Sequence, residues 1–421
     1  MRSLFAAALA AHLAGTHALK ATVLPQAFAD LYGAKCLDGT PPAIYTSLNS
    51  SSSTWLLFLE GGGWCFDTTS AGVISNCFGR AAGGGGSSAG IANGSTNNIG
   101  GLLSEDPAVN PRFFSSNLVF MHYCDGSSYS SYRPDAIPAP PGLQAAVPGA
   151  PAQIWMRGRA NLRAVVAYLL EALGMAAGSE LVVSGGSAGA TGVYLGLEYI
   201  REWVPGSLRV AGAPDAGLFL DVSREGTNDT WYRDSFAAAA PIWGGSDISS
   251  AGCMAAYPTE AWRCYLCVGL GCVQQGLAPL FPAPSSLTPP LSCFLTSLSH
   301  SLGPSLLSFT CSPEYNAYYI ATPMLISNSP IDMWGLGNIL SLGCIPFMDN
   351  ATHGGMKPCP PAQWGALQVW FDEFHARLDP YLAASPASRS AFIPSCYVHE
   401  INVGTDSLRV SLPSHLLLPL L

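Results

Sequence analysis

The segment Leu181–Ala190 (LVVSGGSAGA) constrains the fold most. Leu181 to Ser184 read as a buried strand, and Gly185-Gly186-Ser187-Ala188-Gly189 follows at once. A helical pattern comes next, which Pro205 must end by about Val204 because proline lacks the amide hydrogen a helix needs. Strand, glycine turn and helix form the context a G-x-S-x-G requires. A serine on that sharp turn projects its hydroxyl above the sheet, and the flanking glycines relieve the crowding. Ser187 is therefore the candidate nucleophile, set against an ordinary glycine turn in a chain rich in Gly and Ser.

The remainder alternates in the same way, which indicates an α/β architecture. Trp55 to Leu59 and Asn117 to Cys124 read as strands, as do Leu208 to Ala211, Met324 to Ser327 and, more weakly, Ala391 to Ile393. Leu162, Val165, Val166, Leu169, Leu170 and Leu173 recur at the spacing of one helical face, and Gly174 and Gly178 stop that helix. Residues 222–315 concentrate Cys, Pro and Ser and read as a cap or insertion on a single domain spanning 19–421.

A serine nucleophile needs an oxyanion site and a base. Gly61-Gly62-Gly63 ends an earlier strand, where this architecture places donated backbone N–H groups, so Gly62, Gly63 and the Ala188 N–H are the candidate donors. The run Gly83 to Gly86 reads as a plain turn. The expected chain order is Ser, then acid, then His. Asp332, a few residues beyond the strand Met324 to Ser327, is favoured over Asp215 as the acid. Among the later histidines, His375 lies in a helix-like stretch (Trp370 to Leu378) and His415 in an apolar tail. His353 lies in a glycine-rich loop, whereas His399 follows the short strand and Ser395-Cys396, as a catalytic loop should, and on position alone is only modestly ahead of His353.

Composition bounds the partners. Charged residues make up 11% of the 421 residues and hydrophobic ones 49%, enough for a large core. The net charge of −9 comes without any basic block, so nucleic acid is not an expected partner. Arg2, an apolar run from Leu4 to Leu13 and Thr16-His17-Ala18 resemble a signal peptide cleaved after Ala18; the run is too short for a stable membrane span. Secretion to the cell exterior or wall, or residence in the secretory pathway, is the expectation. Sequons at Asn49, Asn93, Asn228 and Asn350 agree with it. All 13 cysteines lie beyond the cleavage point and imply disulfides. Cys253, Cys264, Cys267 and Cys272 include a C-x-x-C but have no nearby histidine, so bridges are expected there and no metal.

Together the blocks Leu59 to Cys65 (LEGGGWC), His122 to Ser127 (HYCDGS), Gly185 to Ala190, Pro214 to Gly217 (PDAG), Pro323 to Trp334 and Ser395 to Glu400 (SCYVHE) resemble the pectin acetylesterase/Notum family. They run in family order from about Cys36 to His399. The resemblance implies a secreted serine carboxylesterase with an α/β-hydrolase fold: a mostly parallel central sheet flanked by helices, no cofactor, and a disulfide-rich cap. It places the nucleophile on Ser187, the acid on Asp332 and the base on His399, and gives Asp215 a structural role. It also implies disulfides Cys36–Cys124 and Cys65–Cys77, with Trp64 lining an acyl pocket. Residues 265–310 and 403–421 depart from the family pattern.

The expected chemistry is attack by Ser187 on an ester carbonyl, with His399 as base, Asp332 orienting it, and water releasing the acyl-enzyme. The plant-type branch implies acetyl esters of a cell-wall polysaccharide. The animal branch implies a fatty acyl group on protein or lipid and is the alternative. A glycan-binding protein that has lost catalysis is a third, weaker reading.

Overall fold

The computed structural model describes residues 18–224, 227–244, 251–265, 317–345, 357–385, 387–394 and 399–400. Most of the expected signal peptide lies outside the described residues, as do Asn350, His353, Cys267, Cys272, Cys396 and His415.

A nine-stranded sheet carries the chain. Its strands are β1 (Leu19–Val23), β2 (Ala43–Ser47), β3 (Thr54–Leu59), β4 (Thr96–Asn97), β5 (Asn117–Met121), β6 (Glu180–Gly186), β7 (Arg209–Asp215), β8 (Met324–Ser327) and β9 (Arg389–Phe392). The spatial order is β9-β8-β7-β6-β3-β5-β2-β1-β4. From β9 to β5 every pairing is parallel, whereas β2, β1 and β4 add antiparallel strands at one edge. This is the α/β-hydrolase-like, mostly parallel arrangement that the sequence led us to expect.

The central strands are near-continuous apolar runs because both faces of the sheet are covered. In β3, Trp55, Leu57 and Leu59 enter one core, while Leu56 and Phe58 enter the other with Leu102, Leu103, Phe113 and Phe120. Helix α1 (Gln26–Tyr32) and helix α2 (Ser70–Ala82) precede α3 (Gly158–Glu171), whose Leu162, Val165, Val166 and Leu169 are buried as the spacing predicts. That helix stops at Glu171, short of Leu173, and Gly174 turns the chain with φ 86°. Helix α4 (Ala188–Trp203) ends just before Pro205, and Val204 is already extended. Helix α5 (Trp231–Trp243) begins the 222–315 segment, and α6 (Trp364–Ala384) precedes β9.

Several strand ends differ from expectation: β5 stops at Met121, short of the predicted Cys124, and β6 takes in Gly185 and Gly186, which were expected in the turn. β7 runs on to Asp215, beyond the predicted end at Ala211, because β6 pairs with it along its length. β9 starts at Arg389, two residues before the predicted Ala391, as it pairs with β8 from Met324 onward. The turn predicted at Gly83 to Gly86 is present.

Candidate active site

The site gathers at the carboxyl ends of the parallel strands, where open α/β sheets form their crevices. Ser187 follows β6 directly, with φ 53° and ψ −120°, a backbone conformation that only a surrounding structure can enforce on a serine. Its N–H donates to Asp215 O at 2.9 Å, so Asp215 at the end of β7 holds the turn through its backbone. The glycines around the serine answer to space. A Cβ on Gly186 would meet the Glu400 carboxyl at 2.8 Å, and one on Gly189 would stand 2.0 Å from Leu59 O.

The structure brings Ser187, His399 and Asp332 into one chain of hydrogen bonds. His399 Nε2 lies 2.8 Å from Ser187 Oγ, and His399 Nδ1 lies 2.6 Å from Asp332 Oδ2. Asp332 Oδ1 accepts the Gly335 N–H at 2.7 Å, which fixes the carboxylate plane. Asp332 follows β8 and His399 follows β9, adjacent parallel strands, so the two side chains hang side by side beyond the sheet. Burial works against a charged His399, but the Asp332 hydrogen bond and charge, joined by Glu400 and Asp215, outweigh it and raise its pKa. Glu400 itself, with φ 63°, is pushed up by burial and by the Asp332 and Glu60 charges, against the opposing pull of His399. His375, by contrast, sits on the solvent side of α6 beside Asp379.

Gly62 and Gly63 take φ 128° and 68°, and their loop lies next to Ser187, with an ideal Cβ on Gly61 only 3.1 Å from Ser187 Cβ. Among the described residues no acceptor takes the N–H of Gly62, Gly63 or Ala188. The loop's carbonyls, however, are all but one held from outside: Tyr129 Oη donates to Glu60 O, Arg80 Nη2 to Gly62 O and Tyr123 Oη to Gly63 O, at 2.8–2.9 Å. The Glu60 side chain accepts from Tyr123 N at 2.7 Å and pairs with His122 Nδ1 at 2.8 Å. Burial opposes a charged His122, but Glu60 and the Ser87 carbonyl raise its pKa.

Disulfides Cys36–Cys124 and Cys65–Cys77 bracket this loop, and Cys253–Cys264 and Cys344–Cys359 complete four among the described residues. Cys77 and Arg80 share one face of α2, so one helix supplies both the disulfide to Cys65 and the donor to Gly62 O. Trp64 is buried, 2% exposed, at the centre of an aromatic cluster with Phe66, Phe219, Tyr232, Phe236 and Trp334, at centroid distances of 5.2–6.3 Å. Phe219 and Trp334 in turn flank the His399 ring. Sequence reasoning assigned no role to Arg80, Tyr123, Ser128, Phe219 or Glu400. Of these, Tyr123 and Glu400 stand in the blocks HYCDGS and SCYVHE, but nothing in periodicity or spacing says which atoms they hold.

The sequence pattern of the family described as Pectinacetylesterase matches residues 14–270. The chain belongs to the pectinacetylesterase family. Pectin acetylesterase 11 of Arabidopsis thaliana is 27% identical over 395 residues, covering 93% of this chain and 82% of that protein. Palmitoleoyl-protein carboxylesterase NOTUM of Drosophila melanogaster is 31% identical over 246 residues, 55% of this chain and 32% of that protein. In fold, the Wnt deacylase Notum from Drosophila superposes with a TM-score of 0.66 at 22% identity, over 96% of this chain and 93% of the other. As a member of the pectinacetylesterase family, this protein is a carboxylic ester hydrolase. No helix among its described residues is long and apolar enough to cross a membrane.

Proposed function

We propose that this chain is a secreted serine esterase that removes acetyl groups from a cell-wall polysaccharide, using Ser187, His399 and Asp332. The relay of 2.8 and 2.6 Å through His399 carries the reading. His399 Nε2 takes the Ser187 proton as Oγ attacks the ester carbonyl. Asp332 fixes the tautomer that leaves Nε2 free and stabilises the imidazolium. The tetrahedral oxyanion sits against the N–H groups of Gly62, Gly63 and Ala188. His399 then protonates the leaving alkoxide, and a water that it deprotonates hydrolyses the acyl-enzyme.

Two observations support an acetyl substrate. Pectin acetylesterase relatives match along nearly the whole chain, and the rings of Phe219 and Trp334 flank His399 with Trp64 packed behind them, an arrangement that suits a short acyl group. Trp64 then acts as a buttress behind the acyl site. Removal of a fatty acyl group from protein is the second reading, favoured by the 31% identity to Drosophila NOTUM. The disulfides and the leader-like residues 1–18 support export, and residues 222–315, whose α5 packs over Trp64 and Phe66, support a cap on one domain. Exposed Asn93 and Asn228 are suited to glycosylation; the Asn49 amide instead donates to Ser115 O.

Hydrolysis of p-nitrophenyl acetate and octanoate by the wild type, Ser187→Ala and His399→Ala tests the proposal. Activity on acetate that both variants lose is the expected result. Octanoate preference shifts the substrate to the second reading, and retention of rate by Ser187→Ala sinks the nucleophile assignment.

A further inference from the structure

The two walls of the oxyanion site come from elements far apart in sequence, the loop after β3 and the first turn of α4. Their donors must meet one oxygen at about 2.7–3.1 Å, and a misplacement of about 1 Å costs roughly 10²-fold in rate. Something must fix one wall to the other. We propose that Tyr123 and Ser128 are positioning residues, a hydrogen-bonded clamp that joins the Gly62–Gly63 wall to the Ala188 wall. The inference rests on the oxyanion assignment above.

The connection can be followed atom by atom. Tyr123 Oη donates to Gly63 O and accepts the Ser128 N–H, both at 2.9 Å. Ser128 Oγ donates to Ala188 O at 2.6 Å and accepts the Trp64 indole N–H, also at 2.6 Å. Every proton has one acceptor, so the direction of each bond is settled without choosing among rotamers. Gly63 is pinned on its other side as well. Gly62 C=O and Gly63 N–H belong to one planar trans peptide, so Arg80 drawing on the oxygen aims the N–H the opposite way.

An independent observation sits at the hub. Ser128 and Tyr129 are consecutive non-glycine residues with φ 52° and 59°, a left-handed conformation that side chains rarely adopt. Such strain persists where surrounding bonds over-determine it, and here it turns the Ser128 N–H toward Tyr123 while its hydroxyl reaches α4. Both side chains are buried, and burial, with the Asp125 charge, raises the Tyr123 phenol far above its ordinary range, so its hydroxyl remains a donor.

The test compares Tyr123→Phe, Ser128→Ala and the double variant with wild type and Ser187→Ala on p-nitrophenyl acetate. Phenylalanine keeps the ring that packs 5.1 Å from Tyr129 and removes only the hydroxyl. Where Ser128→Ala does not fold, Ser128→Gly replaces it, since glycine accepts φ 52°. Each single variant is expected to lose roughly 10- to 100-fold in kcat, less than the about 10²–10³ of losing a donor itself. KM stays within about threefold, since the clamp acts on the transition state. The links act in series, so the double variant falls no further than the worse single. Inhibition by a methyl trifluoromethyl ketone, whose adduct with Ser187 needs the oxyanion site, weakens in step with kcat/KM. Wild-type kcat in the folded single variants, or a loss confined to KM or melting temperature, overturns the clamp while an inert Ser187→Ala keeps the esterase site intact. An active Ser187→Ala removes both together.

Discussion

Gly189→Ala isolates the geometry of the nucleophile turn. Gly189 has ordinary helical backbone, so conformation is no objection to alanine there; space is. The added Cβ would stand 2.0 Å from Leu59 O and 2.8 Å from Glu60 O, where unstrained contact begins at 3.4 Å. The first turn of α4 must therefore draw back from the end of β3 by about 1.4 Å, the difference between 2.0 and 3.4 Å. That movement separates Ser187 and Ala188 from the Gly62–Gly63 loop, and at about 10²-fold per ångström of misplacement kcat should fall by at least two orders of magnitude. Overpacking of this kind costs about 1–3 kcal/mol of stability as well. The assay is kcat for p-nitrophenyl acetate normalised to sites labelled by an alkyl phosphonate, alongside a melting curve. Gly79→Ala is the control: nothing lies within 4 Å of its added Cβ in the middle of α2, and it should be neutral or stabilising by about 0.5–1 kcal/mol. A Gly189→Ala enzyme with wild-type kcat and melting temperature would refute the claim that β3 and α4 touch at this point.

Other expectations follow from charge and covalent structure. In the proposed mechanism His399 must be neutral to act as base, so kcat/KM should rise with pH through a midpoint above the ordinary 6.5; Glu400→Gln removes a charge that raises His399 and should move that midpoint down. A midpoint unchanged in Glu400→Gln would argue against their coupling. Glu400 also affects stability. Its folded pKa is raised, so its ionisation costs stability as pH climbs through that value. Glu400→Gln should therefore melt higher than wild type at neutral pH, with the advantage gone below the ordinary carboxyl value of 4.5. Removing Cys36–Cys124 by double alanine substitution opens a closure of 88 residues and should cost about 4–5 kcal/mol in denaturant unfolding, while the folded fraction keeps its kcat. A variant of wild-type stability but low kcat would instead tie that bond to the chemistry.

What sequence could show was set by how local each signal is. The strand, turn and helix around Ser187 are contiguous, so the turn could be read before any long-range contact was known. Asp332 could be inferred because β8 is a compact apolar run just before it. His399 stood only modestly ahead of His353 by position, since β9 (RSAF) has little apolar character and owes its existence to pairing with β8. β7 was truncated in the reading because Gly-Ala-Pro carries no strand propensity. The proposed clamp was out of reach for a different reason: the left-handed Ser128 bonds to Tyr123, Trp64 and Ala188, and Tyr129 beside it to Asp125 and Glu60, partners that a Ser-rich stretch does not reveal.

The placement of the proposed acid and base after β8 and β9 has a temporal side. Ser187 and His399 are separated by 212 residues, so a chain made at about 5–20 residues per second exposes its serine roughly 10–40 s before its histidine exists. Throughout that interval the Gly61–Gly63 loop, the disulfide-forming cysteines and the serine can assemble, yet the proposed base is absent. On the proposed mechanism a fragment cut between β8 and β9 lacks its base for the same reason. On that mechanism, full reactivity toward a phosphonate is acquired late, with the docking of β9 against the sheet, and labelling of newly made chains would time that docking directly.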